Sequence, residues 1–154
     1  MIKQLMIISL ICSSISVLGQ KTNFSGAWAI DTTKTAYGDA PQWVIPFSII
    51  VEQQSDRLSL TRINRNENQE TQSPVIETLL FDGTPFNRTP QSVPVVTTSL
   101  SWTDDHSFIL TRQGTVTATE TWSLADDGKT LVIDRHVKQG DNLEYEIKCH
   151  YTKQ

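Results

Sequence analysis

The chain of 154 residues is mildly acidic, with a formal net charge of −4 and 38% hydrophobic residues. Its length suits one domain rather than two. The acidic balance disfavours nucleic acid or an anionic membrane surface as a partner, since both attract basic proteins. Beyond the N-terminal stretch no apolar run is long enough to cross a bilayer as a helix, so we expect no transmembrane segment.

The N-terminus has the pattern of a secretory signal peptide. Lys3 supplies a positive start, and residues 5–18 form an apolar run too short to span a bilayer comfortably. A valine and a glycine at the −3 and −1 positions suit cleavage before Gln20. We therefore expect residues 1–19 to be removed and residues 20–154 to form a single exported domain, either periplasmic or extracellular.

After residue 20 the pattern is strand and turn almost throughout. Apolar and polar residues alternate over short runs that are separated by Gly, Pro, Asn and Asp. In chain order, strands are predicted at 23–31, 43–54, 57–64, 74–81, 93–103, 106–112, 115–124, 129–137 and 143–152. Pro46 lies inside the second run and predicts an edge position or a bend. Residues 32–42 are expected as a loop with room for one helical turn, and residues 84–91 as an irregular connection.

These elements predict an all-β fold. Most neighbouring strands are joined by short turn signals such as Asp82-Gly83, which favour successive hairpins over long crossings. A closed meander also hides the strand edges that would otherwise promote aggregation. The preferred architecture is an antiparallel up-and-down β-barrel of about eight or nine strands, and the alternative is a two-sheet β-sandwich.

The alternation also predicts which side chains point inward. The apolar inward candidates are Leu58, Leu60, Val75, Leu79, Phe108, Leu110, Leu131, Ile133, Tyr145 and Ile147. Five charged residues share those same apolar faces: Arg62, Glu77, Arg112, Glu120 and Arg135. An isolated charge in a low-dielectric interior is costly, so each of them should be paired, hydrated or close to a barrel mouth.

Two interpretations of these charges remain open. In the first, the Arg side chains reach water from strand ends and the Glu side chains form buried pairs with Arg on neighbouring strands. In the second, an apolar cavity keeps a few polar groups to orient the head group of a ligand, and an inward Arg suits a carboxylate. The second interpretation predicts a ligand site formed by Arg62, Glu77, Arg112, Glu120, Trp43 and Tyr145. An interior filled by side chains, without a cavity, would contradict it.

Signals for catalysis are weaker. The sequence has no nucleophile elbow, no glycine-rich phosphate loop and no His-Glu-x-x-His, so we predict no catalytic residue, no cofactor and no metal. Asp134 and His136, with His150 nearby, have metal-ligand chemistry but lie on a polar face. Glu77 and Glu120 could in principle act on a glycosidic bond.

The opening of the predicted domain, Phe24-Ser25-Gly26-Ala27-Trp28, contains a Gly-x-Trp on the first strand and resembles the opening motif of lipocalins and their calycin relatives. The last hairpins, around residues 122–131, are similar to those of exported bacterial lipocalin-like proteins. The resemblance implies that Trp28 closes one end of the barrel and that a basic residue from a late strand packs across it. Arg135 is the candidate for this partner, with Lys148 as the alternative, and such a cation–π contact contributes roughly 0.5–2 kcal/mol.

The resemblance further implies a binding protein that holds a small apolar or amphiphilic ligand inside the barrel. One alternative is a structural or interaction domain of the cell envelope, with a filled core and a protein partner. A small hydrolase or isomerase is the third and least favoured reading.

Overall fold

One antiparallel sheet of ten strands makes up most of the chain in the computed structural model, which describes residues 20–87, 95–141 and 143–154. The strands are β1 (Gly26–Ile30), β2 (Ser48–Gln53), β3 (Arg57–Ile63), β4 (Val75–Leu80), β5 (Phe86–Asn87), β6 (Thr97–Trp102), β7 (Ser107–Gln113), β8 (Thr117–Leu124), β9 (Thr130–Gln139) and β10 (Leu143–Lys153). A short 3-10 helix covers Gln42–Val44. The predicted signal peptide lies outside the described residues.

The strand order shows a meander that curls into a nearly closed barrel. The order is β4-β3-β2-β1-β10-β9-β8-β7-β6-β5, so the first strand pairs with the last. At the far edges β4 returns towards β6, where Asp82 bridges to Ser101 and the Gly83 N–H donates to the Leu100 carbonyl at 2.9 Å. The all-β, antiparallel prediction is confirmed, and a single continuous sheet replaces the two sheets of the alternative sandwich.

Two local predictions were wrong. The structure has ten strands instead of eight or nine, because Phe86 and Asn87 pair with Thr98 and Thr97 in a stretch expected to be irregular. Residues 88–94, which include the rest of that stretch and the expected start of the next strand, lie outside the described residues. The second strand begins at Ser48 rather than at 43, since prolines at 41 and 46 cannot donate to a ladder and a 3-10 turn lies between them.

The inward faces follow the predicted alternation. Eight of the predicted inward residues are at most 4% exposed: Leu58, Leu60, Leu79, Phe108, Leu110, Leu131, Ile133 and Ile147. Aromatic rings fill one half of the barrel, where Phe108 lies edge-on to Phe24 at 4.8 Å between centroids and stacks on Trp122 at 5.2 Å. Burying each of these large side chains stabilises the fold by about 1.5–3 kcal/mol.

Trp28 does have a cationic partner, but it is Lys153. The indole is fully buried and its N–H donates to the Phe24 carbonyl at 3.0 Å, while Lys153 Nζ lies 5.3 Å from the ring centroid. The expectations of Arg135 and Lys148 were wrong. Trp28 and Lys153 are register partners on the adjacent strands β1 and β10, whereas Arg135 stands on β9, one strand further away.

Gly26 makes room for this cation. Its φ of +146° is a conformation that other residues rarely adopt, and a Cβ there would lie 2.8 Å from Lys153 Cε. The Gly-x-Trp motif thus has a local physical reason, because the glycine lets the lysine stem pass close to the backbone and reach the indole.

Replacing Gly26 by alanine should therefore cost more than its backbone strain alone. We expect Gly26→Ala to lower the free energy of unfolding by about 2–3 kcal/mol, as strain and displacement of Lys153 combine. Gly83→Ala is the matched control, since Gly83 also has a positive φ, of +81°, but no atom within 4 Å of the added Cβ. Urea unfolding measures both variants, and an equal loss in the free energy of unfolding for Gly26→Ala and Gly83→Ala would contradict the role of Lys153.

Candidate functional site

Four of the predicted ligand-binding residues meet inside the barrel. Arg62 on β3, Glu77 on β4, Arg112 on β7 and Glu120 on β8 project inward because each continues the inward alternation of its strand. We call these four residues the charged layer. Glu77 and Glu120 are only 1% and 2% exposed, so the layer is a set of charges within the core rather than on the rim.

Glu120 is the centre of the charged layer. Arg62 donates to both of its carboxylate oxygens, through Nη1 at 3.1 Å and Nη2 at 2.9 Å. Arg112 Nη1 donates to the first oxygen at 3.0 Å, and the indole N–H of Trp122 donates to the second at 3.1 Å. Four donors therefore hold this carboxylate in one orientation, with the bidentate geometry that guanidinium and carboxylate groups favour.

Arg112 extends the layer across the place where the barrel closes. Its Nη2 donates to Glu77 at 2.8 Å, and the Thr98 hydroxyl donates to the other oxygen of Glu77 at 3.2 Å. Because Thr98 is on β6 and Glu77 on β4, side chains join the two strands at this level of the barrel. The charged layer therefore helps to close the barrel, in addition to placing charged groups inside it.

Burial and ion pairing shift the pKa values of these groups in opposite directions. Burial alone would raise the pKa of Glu120, but the nearby guanidinium groups, Arg62 first, outweigh it and hold that pKa well below its usual range. Burial would lower the pKa of Arg62, yet the Glu120 carboxylate raises it. The pKa of Arg112 is lowered by burial and then by repulsion from Arg62. Burial, with Glu120 as a further cause, also raises the pKa of the nearby Cys149 thiol to about 12, so this cysteine stays protonated.

Arg135 adds a third guanidinium at the edge of the charged layer. Its Nη1 donates to the Val44 carbonyl at 3.0 Å, and its Nε lies 3.9 Å from Glu120. The Nε atoms of Arg62 and Arg135 are both buried without a hydrogen-bond partner. Among the residues that the structure describes, three guanidinium groups face two carboxylates, which leaves one positive charge in excess at this level of the barrel. Such an excess in a buried site favours an anion.

A cavity of about 210 Å³ adjoins these groups and opens at one end of the barrel. Three members of the charged layer, Arg62, Glu77 and Arg112, line it together with Arg135 and with Val44, Pro46, Asn64, Gln72, Ser73 and Val75. The 31–47 segment forms part of its wall, because Arg135 holds the Val44 carbonyl and the Tyr151 hydroxyl donates to the Pro46 carbonyl at 2.9 Å. We call this space the mouth cavity.

The other two predicted ligand residues lie elsewhere. Trp43 is 43% exposed and lines a separate groove of about 60 Å³ beside Phe47 and Arg65. Tyr145 packs against the core and does not line the mouth cavity. The fold thus brings four of the six predicted ligand residues together and leaves these two apart from them.

Several members of the site were not named from the sequence, and Thr98 and Val44 are the two that bond directly to its charged groups. Thr98 carries a signal that could have identified it, since it alternates in phase with buried Leu100 on β6. Val44 carries none, because its contribution is a backbone carbonyl presented by a loop. Arg135 was assigned a structural role at the tryptophan, whereas the structure places it in the wall of the mouth cavity.

The enzymatic alternatives find little support in the geometry. Glu120 is held ionised by its guanidinium partners, so it is unsuited to donate a proton. On the outer face Asp134 pairs with Lys148 at 3.4 Å and His136 with Glu144 at 2.9 Å, all four side chains being well exposed. Among the described residues no three His, Cys, Asp or Glu side chains gather as metal ligands.

The arrangement belongs to a known class of fold. The structure is similar to that of a Schistosoma mansoni fatty acid binding protein in complex with arachidonic acid, with a TM-score of 0.57 and 13% sequence identity. The alignment covers 85% of this chain and 96% of that one. No protein-family model matches the chain, and no curated protein matches it significantly. The fold is therefore a calycin-like β-barrel. The described part of the structure includes no helix with the length and hydropathy of a membrane span.

The charged layer should make folding stability depend on acid pH. Because the pKa of Glu120 is lower in the folded than in the unfolded chain, its contribution is complete above about pH 4.5 and is lost as the pH falls towards the folded pKa. Below about pH 4.5, the free energy of unfolding should fall by up to about 1.4 kcal/mol per pH unit more steeply in the natural protein than in Glu120→Gln.

Urea unfolding midpoints between pH 7 and pH 3 measure this slope. At neutral pH the Glu120→Gln variant should also lose about 3–5 kcal/mol, since it leaves buried guanidinium groups short of a carboxylate. The exposed Glu144→Gln is the control, and its profile should follow that of the natural protein. A Glu120→Gln profile parallel to that of the natural protein would contradict the assignment.

Proposed function

We propose that this protein is a binding barrel that holds a small amphiphilic carboxylate in the mouth cavity, with the head group at the guanidinium groups. The observation that carries the proposal is the excess of positive charge in a buried site beside an open cavity. A carboxylate balances that charge and accepts the hydrogen bonds that guanidinium groups donate.

The geometry supports particular roles for the lining residues. Arg135 is the guanidinium with most capacity for a ligand, because within the described part of the chain it donates one hydrogen bond, to the Val44 carbonyl, and its Nε lacks an acceptor. Arg112 is already shared between Glu77 and Glu120, and it would act as a second, weaker donor. Val44, Pro46 and Val75 offer apolar surface for the rest of the ligand.

The structural comparison agrees with this chemistry. The Schistosoma protein of the same fold is described in complex with arachidonic acid, which is itself an amphiphilic carboxylate. Because fold likeness carries function only weakly, it is the guanidinium groups and the cavity of this chain that support a carboxylate ligand here.

Export belongs to the same proposal. The N-terminal pattern leads us to propose that residues 1–19 are removed and that the barrel acts in the periplasm or outside the cell. Purification from the original cells followed by an intact mass measurement tests this, and a mature mass that still includes residues 1–19 would contradict it. The envelope protein partner stays a prediction from the sequence.

Binding of hexanoate tests the carboxylate site directly. Isothermal titration should detect hexanoate at the natural protein but not hexanamide, which has the same length without the charge. Arg135→Gln should weaken hexanoate binding about tenfold or more, because it removes a charge-assisted hydrogen bond.

Lys148→Gln is the matched control for Arg135→Gln. It also removes one positive charge, from the neighbouring strand, but its side chain is 54% exposed and pairs with Asp134 outside the barrel. Hexanoate affinity should be unchanged in this variant. If both substitutions weakened hexanoate binding equally, the cause would be the change in net charge, and this result would contradict the proposed carboxylate site.

A further inference from the structure

The charged layer divides the barrel interior into two unequal halves. On one side lies the mouth cavity, and on the other an aromatic cluster of Phe24, Phe81, Trp102, Phe108 and Trp122, whose contacting ring centroids are 4.6–6.2 Å apart. Phe24, Phe108 and Trp122 are fully buried. The aromatic half is therefore packed protein core, unlike an open ligand chamber.

The boundary between the halves is a bonded wall. Trp122 donates its indole N–H to Glu120, and the Arg62 guanidinium lies over the Trp122 ring at 5.6 Å from its centroid. Beside Glu120, where Ile49 and Cys149 complete the lining, the free space is only about 10 Å³, which is hardly enough for one water molecule. A ligand chain could pass this wall only by breaking the Glu120 hydrogen bonds.

The volume of the mouth cavity sets the size of ligand that fits. An apolar cavity of about 150 Å³ in another protein holds benzene, which has six carbon atoms. At the same volume per atom, about 210 Å³ holds about eight non-hydrogen atoms. Hexanoate has that number, whereas a long-chain fatty acid greatly exceeds it.

We propose, on the basis of the function proposed above, that the charged layer and Trp122 limit the part of a carboxylate's chain that the site can bury to about six carbons. The carboxylate lies against Arg135 and Arg112, and the chain points outward past Val44 and Val75. Carbons beyond about the sixth reach solvent and add no affinity. Glu120 and Trp122 are then specificity-determining residues, which act by closing the floor of the site.

A chain-length series tests this limit in the natural protein. Titration with butanoate, hexanoate, octanoate and decanoate, each below its micelle concentration, should show affinity rising about fourfold per added methylene up to hexanoate. From octanoate to decanoate the change should be less than twofold per methylene. A fourfold gain per methylene that continues to decanoate would overturn the size limit while leaving the carboxylate site intact. Absence of binding at every length would overturn the proposed function itself.

Variants of two tryptophans then locate the wall. Trp122→Leu removes the ring beneath the charged layer and one donor to Glu120, which opens space for the chain to turn inward, so the plateau should move to chains about two carbons longer. Trp102→Leu is the matched control, since that ring packs against Phe24 and Phe81 within the aromatic half. An unchanged plateau in folded Trp122→Leu, or an equal move in both variants, would contradict the role of Trp122. The series on the natural protein decides the size limit if Trp122→Leu fails to fold.

Discussion

The bidentate contact between Arg62 and Glu120 is the interaction on which the rest of the structure depends. It joins β3 to β8 through the inside of the barrel, between side chains 58 positions apart in the chain. Removing two charges from water is costly, and the pair is tolerated because Glu120 also accepts hydrogen bonds from Arg112 and Trp122.

The layer also explains how one small barrel can be stable and still bind. Aromatic packing in one half supplies apolar burial without a ligand, and the free thiol of Cys149 lies buried within this core. The other half keeps a cavity, because Arg112 and Glu77 occupy the inward positions where further apolar side chains would fill it. The fold is shared with a fatty acid binding protein, but the division of the interior follows from the residues of this chain.

Much of this arrangement could be predicted from alternation alone. A residue two positions from Leu60 on a strand must share its face, and this placed Arg62 inside, as the same reasoning placed Glu77, Arg112 and Glu120. The sequence could not show which of these charges would pair. Arg62 and Glu120 are on strands that are not neighbours in the sheet, and their distance depends on how the barrel closes.

Other features depend on local geometry that the alternation of apolar and polar residues does not predict. Trp43 matched the period of the following strand, but prolines on both sides turned it into an exposed 3-10 segment. Lys153 rather than Arg135 covers Trp28, because the first strand pairs with the last and Gly26 leaves space for the lysine stem. The mouth cavity has no signature in the sequence, since its volume is what the surrounding side chains and the 31–47 segment leave unfilled.

A crystal structure with 6-bromohexanoate tests the central claim most directly, because anomalous scattering locates the bromine independently of the interpretation of the ligand density. The account predicts the carboxylate at Arg135 and Arg112 and the bromine near Val44 and Val75, towards the open end. A bromine among Phe108 and Trp122, or on the outer face beside His136, would contradict it.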